Sequence, residues 1–356
     1  MPQGSGLSTE LTAAASPSPH RFEQRRAVGQ GAMGVVRLVR DNALGRDVAV
    51  KTVRDETTEG TKRGLFLREA RITARLEHPN IIPVHDVFVA PEGGADHVVM
   101  RVVDGRSLAD VIEALQRRDP ETVREFSIER RLEVFVALLR ALQYAHERGV
   151  VHRDVKPDNI MLGRNGEVFL VDWGVALAHD EPDIAPPGST IGSPLYMSPE
   201  QARGEPIDHR SDLYSAAVVL YEFLKLRHYL GPAYGNALPE LVMNQIATLG
   251  WQWSMLDWHR PGIEPMPPIE IYHFLRRAMA RPRDRRFSSA NEMIAEINRM
   301  LEGRTRVQCH ISFVKATVRR SGRFIDRMPW LSFALFAMLC FLLVRGALDL
   351  FRAVTG

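Results

Sequence analysis

The run His152-Arg153-Asp154-Val155-Lys156-Pro157-Asp158-Asn159 puts a carboxylate, an ammonium group and a carboxamide within a few residues of each other, behind the apolar pair Val150-Val151. A carboxylate so placed can accept or orient a hydroxyl proton. Upstream, Gly29-Gln30-Gly31-Ala32-Met33-Gly34-Val35-Val36 carries glycines whose missing β-carbons let the backbone close over phosphates. Lys51 ends the apolar stretch Val48-Ala49-Val50, where an unpaired ammonium is costly, so it needs an anionic partner. Downstream come Asp172-Trp173-Gly174 and Ser198-Pro199-Glu200. Asn159 and Asp172 offer hard oxygens of the kind that Mg²⁺ takes. These groups suit phosphoryl transfer, which asks for positioning and charge neutralisation more than for covalent help.

A glycine-rich turn alone is weak evidence, since dinucleotide-binding folds share it. The order and spacing of all these motifs are another matter, because they match the protein-kinase signature set. On them the chain resembles the bacterial Hanks-type serine/threonine protein kinases, over roughly residues 20–302. The resemblance implies an α+β, bilobal fold with a small, mostly β N-lobe and a larger, mostly α C-lobe. It places ATP against Val28, Gly29, Gly31, Gly34, Val36, Lys51, Glu69 and Met100, with Val36 over the adenine. Glu69 is the expected carboxylate partner of Lys51, and Glu77, close to the helix end, is the weaker alternative. Asp154, Lys156, Asn159 and Lys51 are the implied catalytic residues, and Asn159 and Asp172 the implied Mg²⁺ ligands. Lys156 goes with Ser/Thr rather than Tyr substrates.

The resemblance also implies that Arg153 pairs with a phosphate on the activation segment, residues 175–197. Arg153 is thus expected to lack a partner until that phosphate arrives. Ser193 matches a structural position near the substrate, which leaves Ser189 and Thr190 as the phosphosite candidates. Glu200 is expected to form a buried ion pair with Arg286. Three departures stand out: Trp173 in place of Phe, Ser198 in place of Ala, and Arg101 where an acidic residue is common. None removes a catalytic group.

These motifs need elements to hold them. Residues 22–39 read as a hairpin around the glycine turn, and 47–51 as a third strand. Apolar spacing predicts a helix over 62–76, ended by His78-Pro79-Asn80, and strands over 81–89 and 97–103. Helices are predicted over 108–117 and 128–148, with Asp119-Pro120 breaking the chain between them, and over 212–226, 270–281 and 289–301. The segment 227–268 is least like the family, and its Trp251, Trp253 and Trp258 read as core rather than as a docking site.

Composition fits this reading. The chain has 356 residues, 45% hydrophobic and 25% charged, with a net charge of +3, so nothing global points to nucleic acid. Two cysteines, Cys309 and Cys340, make no disulfide framework. No charged-then-apolar signal peptide opens the chain. Residues 1–19, rich in Ser, Pro and Ala, are expected to be disordered.

The C-terminal end carries a different signal. Residues 330–344 are apolar apart from Ser332, about 22 Å as a helix at ~1.5 Å per residue. Extension to 329–351 gives enough length for a bilayer, with Arg345 and Asp349 spaced to pair. Lys315, Arg319, Arg320, Arg323 and Arg327 precede it and argue for a cytoplasmic kinase side. The expected organisation is a kinase domain over 20–302, a basic juxtamembrane linker over 303–328, a transmembrane helix over 329–351 and a tail over 352–356. That places the chain in the plasma membrane by a single pass, with no room for an extracellular sensor. The alternative is a helix buried against the kinase or an oligomer partner; a homodimer stays open. For function, the alternative to a kinase acting on protein Ser/Thr hydroxyls is a kinase-fold scaffold that does no chemistry. A small-molecule phosphotransferase fits less well with Ser198-Pro199-Glu200 and the segment hydroxyls.

Overall fold

Valines at every second position sort the first strands into two faces, as strand geometry demands. In the computed structural model, which describes residues 21–31, 34–52, 60–88, 96–184, 190–231, 238–248, 268–302 and Arg345, these strands are β1 (Phe22–Gly31), β2 (Gly34–Asp41) and β3 (Arg46–Thr52). They join β4 (Val84–Phe88) and β5 (His97–Arg101) in an antiparallel sheet of order β1-β2-β3-β5-β4. Val39, Val48, Val50, Phe88 and Val99 pack on one face, with Phe22 edge-on to Phe88. The other face turns Ala49 and Lys51 the opposite way, in register with Met100 and Val98. Against that face lies helix α1 (Gly60–Arg75), through Phe66 and Ala70 on Val98, Val84 and Met100. Alternation therefore places Lys51 on the side where α1 can present a carboxylate.

The larger lobe is helical. The short strand β6 (Gly105–Ser107) leads into α2 (Leu108–Gln116), whose start is closed by a capping box between Ser107 and Asp110. Asp119-Pro120 does interrupt the chain, but it also starts something: Pro120 opens a short helix, α3 (Pro120–Glu125), with Asp119 capping Thr122. Helix α4 (Ile128–His146) buries Leu132, Phe135, Leu138, Leu139 and Leu142. Gly149, at φ +70°, turns the chain from α4 into β7 (Val150–Val151), a conformation an L side chain resists. Beyond the catalytic loop, β8 (Ile160–Gly163) and β9 (Val168–Leu170) extend β6 into a three-stranded sheet, and β10 (Leu177–Ala178) pairs with β7. After a short α5 (Pro199–Ala202) comes α6 (Arg210–Lys225), buried along almost its whole length, then α7 (Pro239–Thr248). The helices α8 (Ile269–Ala278) and α9 (Ala290–Leu301) follow.

The sheet-built N-lobe and helical C-lobe agree with the expected architecture. Several predicted boundaries shift by one to three residues; the helix predicted over 270–281, for instance, spans Ile269–Ala278. The strand expected from residue 81 begins at Val84, because Ile81 instead bridges in parallel to Leu170. The strand expected to reach 103 ends at Arg101. A second unit comprises Pro268–His273 and Arg299–Gly356, and within it Tyr272 lies edge-on to His273. Among the described residues no helix is long and apolar enough to cross a membrane. Residues 1–19, the apolar run 330–344 with its basic flank, the three tryptophans of 251–258 and Ser189 lie outside the described residues.

Candidate active site

Asp212, at the start of the buried helix α6, holds the catalytic loop from beneath. Its Oδ2 accepts the His152 backbone N–H at 2.8 Å and its Oδ1 the Arg153 N–H at 2.9 Å. His146 Nε2 sits 2.8 Å from Oδ2. Burial alone would raise this carboxyl, but His146, His152 and the backbone donors outweigh it and hold it below the usual range. The anchoring matters because Arg153 adopts φ +67°, a conformation that costs about 1–3 kcal/mol and persists only when its surroundings fix it. Asp172 is also left-handed, at φ +63°.

The strained turn presents Asp154 to a knot of donors. Oδ1 accepts the Ser193 N–H at 2.7 Å, and Lys156 Nζ lies 2.8 Å from Oδ2. Lys156 also donates to Ser193 Oγ at 2.8 Å, which gives Ser193 the structural place expected of it. Asn159 Nδ2 donates to the Asp154 carbonyl at 2.9 Å and to Oδ2 at 3.2 Å, leaving its amide oxygen for a cation. Burial works to raise the Asp154 carboxyl, yet Lys156 and Ser193 prevail and keep it below the ordinary carboxylate value, so it is ionised at neutral pH. Gly192 lets the segment come this close: at φ +119°, a β-carbon there would stand 2.7 Å from the Arg153 carbonyl oxygen.

Above the loop, Lys51 Nζ meets Glu69 Oε1 at 2.6 Å and Oε2 at 2.8 Å, so Glu69 and not Glu77 is its partner. Val36, Lys51, Glu69, Met100, Asn159 and Asp172 all line one cavity of about 370 Å³, joined by Ala49, Val103 and Met161. Of the glycine turn, Ala32 and Met33 lie outside the described residues, and for Gly29, Gly31 and Gly34 the backbone alone is described. Gly29 pairs with Val36 and Gly31 with Gly34 in the β1–β2 hairpin, where Val28 also lies.

The cavity is short of positive charge. Burial pushes the Glu69 carboxyl up; Lys51 opposes this, and neighbouring Asp172 adds to it. A β-carbon on Gly174 would stand 3.3 Å from both Asp172 Oδ1 and Glu69 Oε2, so two carboxylates lie close together beside the Lys51–Glu69 pair. That imbalance, with the Asn159 amide oxygen and Asp172 as hard donors, fits a divalent cation that brings phosphate and water for its remaining sites.

Residues 22–297 match the family model described as the protein kinase domain. The chain belongs to the protein kinase family. It is 35% identical over 289 residues to a probable serine/threonine-protein kinase of Streptomyces coelicolor, covering 80% of this chain and 40% of the relative. Serine/threonine-protein kinase PknB of Mycolicibacterium smegmatis is 34% identical over 296 residues, with 80% and 43% covered. Serine/threonine-protein kinase PknD of Protochlamydia amoebophila is 31% identical over 310 residues, with 80% and 30% covered. Within the family the chain groups with bacterial Hanks-type serine/threonine kinases, and it spans less than half the length of these relatives. The family uses ATP and a divalent metal.

Other parts of this kinase domain also depart from what its sequence suggests. Arg153 does not await a partner: its Nη1 lies 2.6 Å from Asp183 Oδ1, and Nη2 contacts the second oxygen. The expectation of an unpaired cation is therefore corrected by a carboxylate within the segment itself. Arg101, at the edge of the cavity, pairs with Glu167 at 3.0 Å and lies over the Phe169 ring, so a carboxylate of the β8–β9 turn neutralises it. Trp173 is fully buried, its ring 4.5 Å from that of His152. Glu200 and Arg286 form the expected buried pair, with both oxygens 2.7 Å from guanidinium nitrogens. Asp212 and Asp183 are the functional residues that sequence reasoning missed. The acidic run Asp180-Glu181-Pro182-Asp183 was the available signal for Asp183; Asp212, ahead of the apolar part of its helix, offered none that named its partner.

Proposed function

We propose that this chain is a membrane-anchored serine/threonine protein kinase that transfers the γ-phosphoryl group of ATP to protein hydroxyls. The observation that carries the reading is the Asp154–Lys156–Asn159–Ser193 knot, set against a cavity that holds the Lys51–Glu69 pair. Lys51, fixed by Glu69, is positioned to bind the α- and β-phosphates. Asn159 and Asp172 would hold Mg²⁺, which supplies charge neutralisation between phosphate oxygens. The Asp154 carboxylate orients the incoming hydroxyl and takes its proton as the new P–O bond forms and the bond to the leaving diphosphate breaks. A carboxylate held below its ordinary pKa is a weak base, which suits a loose transition state with late proton loss. Lys156, beside it, meets the charge on the transferred group. Autophosphorylation of Thr190 or Ser189 belongs to this reading.

The test is transfer of labelled phosphate from ATP and Mg²⁺ to a generic protein substrate and to the chain itself, with sites mapped by mass spectrometry. Lys51→Met should lower kcat/KM by about 10²-fold or more, through misplaced phosphates. Wild-type protein that binds ATP yet labels no hydroxyl would sink the proposal in favour of a scaffold.

For the membrane, support comes from the apolar run 330–344 and the arginines before it. Full-length protein is expected to resist carbonate washing of membranes. A variant without residues 328–356 should be soluble and keep its transfer activity, since every motif precedes Leu301. Full-length protein that washes off would remove the anchor from this reading.

A further inference from the structure

Four residues of the activation segment, Asp180-Glu181-Pro182-Asp183, place three carboxylates against three arginines from two different parts of the machinery. Asp180 Oδ2 accepts from Arg75 Nη1 at 2.9 Å. Glu181 Oε2 lies 2.9 Å from Arg68 Nε. Asp183 meets both terminal nitrogens of Arg153 in a two-pronged pair. Arg68 and Arg75 lie on α1, the helix that carries Glu69; Arg153 adjoins Asp154. Arg68 also donates to the Ala176 carbonyl at 2.9 Å, two residues past Gly174. The acidic run thus ties the helix that places Lys51 to the loop that places Asp154.

A buried guanidinium needs an anion. The Arg153 side chain is 5% exposed, whereas Asp183 is 40% exposed, so the carboxylate is the half of the pair that reaches in from the surface. The place where the family resemblance puts a phosphate already holds a charge. We infer that Asp183, with Glu181 and Asp180 beside it, holds this kinase in its active arrangement without segment phosphorylation. Asp183 is a positioning residue: it touches neither ATP nor the substrate hydroxyl, and acts through Arg153 on the loop that carries Asp154. The run also works as a unit, because loss of Asp183 frees the end of a strap whose other end holds α1.

The inference rests on the reading of the chain as an active kinase, and its test separates the two. Full-length protein is treated with a phosphatase, shown by intact mass to carry no phosphate, and assayed from the first turnovers on a generic protein substrate. The dephosphorylated wild type should work without a lag, within about threefold of the phosphorylated form, and the Ser189→Ala/Thr190→Ala double variant should behave alike. Asp183→Ala should lower kcat by about tenfold or more with little change in the KM for ATP, and Asp183→Glu should restore most of the loss. Hydrogen exchange supplies a readout independent of turnover: amides of 176–184 should be protected in the dephosphorylated wild type and lose protection in Asp183→Ala, while α6 stays protected. A lag abolished only by phosphorylation, or an Asp183→Ala variant as fast as wild type, would overturn the inference and leave the kinase reading intact. No transfer in any phosphorylation state sinks the kinase reading instead. In that case exchange decides for the strap: lost protection in Asp183→Ala supports it, and unchanged protection overturns it.

Discussion

Asp154→Asn is expected to slow phosphoryl transfer by about 10²–10⁴-fold, the usual range for removing a positioned proton acceptor. The amide keeps the size of the side chain but not its charge. It sets an NH₂ group among the Ser193 N–H, Lys156 ammonium and Asn159 carboxamide that now converge on the carboxylate. Nucleotide affinity should change little, because Asp154 is not among the residues lining the cavity. Fluorescent-nucleotide titration beside a transfer assay checks both halves. Equal loss of binding and transfer would mean that the variant has disturbed the fold, and unaltered transfer would remove Asp154 from the mechanism.

Arg286→Ala carries the largest expected loss of stability. Arg286 is buried and gives both terminal nitrogens to Glu200, while Nε serves the Ala280 carbonyl at 2.7 Å and the terminal nitrogens reach the Arg210 and Arg281 carbonyls. Its removal strands a buried carboxylate and should cost about 3–5 kcal/mol, a large share of a typical domain's stability. Replacing both partners, as Glu200→Gln with Arg286→Met, should cost less than Arg286→Ala alone. The pair also sets an acid limit. Burial by itself would raise the Glu200 carboxyl, but Arg286 and Ser211 bring it down from 4.5 to about 2. A depressed carboxylate stabilises the fold above its unfolded pKa, and that contribution, roughly 3 kcal/mol, is lost as pH falls from 4.5 toward 2. Urea titrations across that window should show a falling midpoint in the wild type and a flatter one in Arg286→Ala. Parallel curves would show that the pair does not set the limit.

What the sequence made legible was local. Lys51 announced its need for an anion because an ammonium interrupted an apolar strand, and the resemblance named Glu69 as that anion, on a helix whose spacing was plain. Asp154, Lys156 and Asn159 sit in one loop, so three members of the knot could be named, while Ser193 and the pairing of Glu200 with Arg286 came on the strength of the resemblance. What stayed hidden joins residues far apart in the chain. Asp212 reaches a loop some 60 residues earlier, and nothing in its own neighbourhood says so. Asp183 reads as an ordinary solvated acid until the turn of the segment brings it onto Arg153. The helix α3 was hidden for another reason: Pro marks a stop and a helical first turn equally well, and only the Asp119 cap tells them apart.

The indole of Trp173 bears on pharmacology. Burying a tryptophan removes roughly 150–250 Å² from water, about 4–6 kcal/mol at ordinary transfer coefficients. Inhibitors that gain their hold by evicting the residue after Asp172 must overcome that loss, on the order of a thousandfold in affinity. Compounds confined to the space between Val36, Ala49, Met100 and Met161 face no such penalty. A screen against this protein should therefore enrich for ligands of the adenine cavity itself.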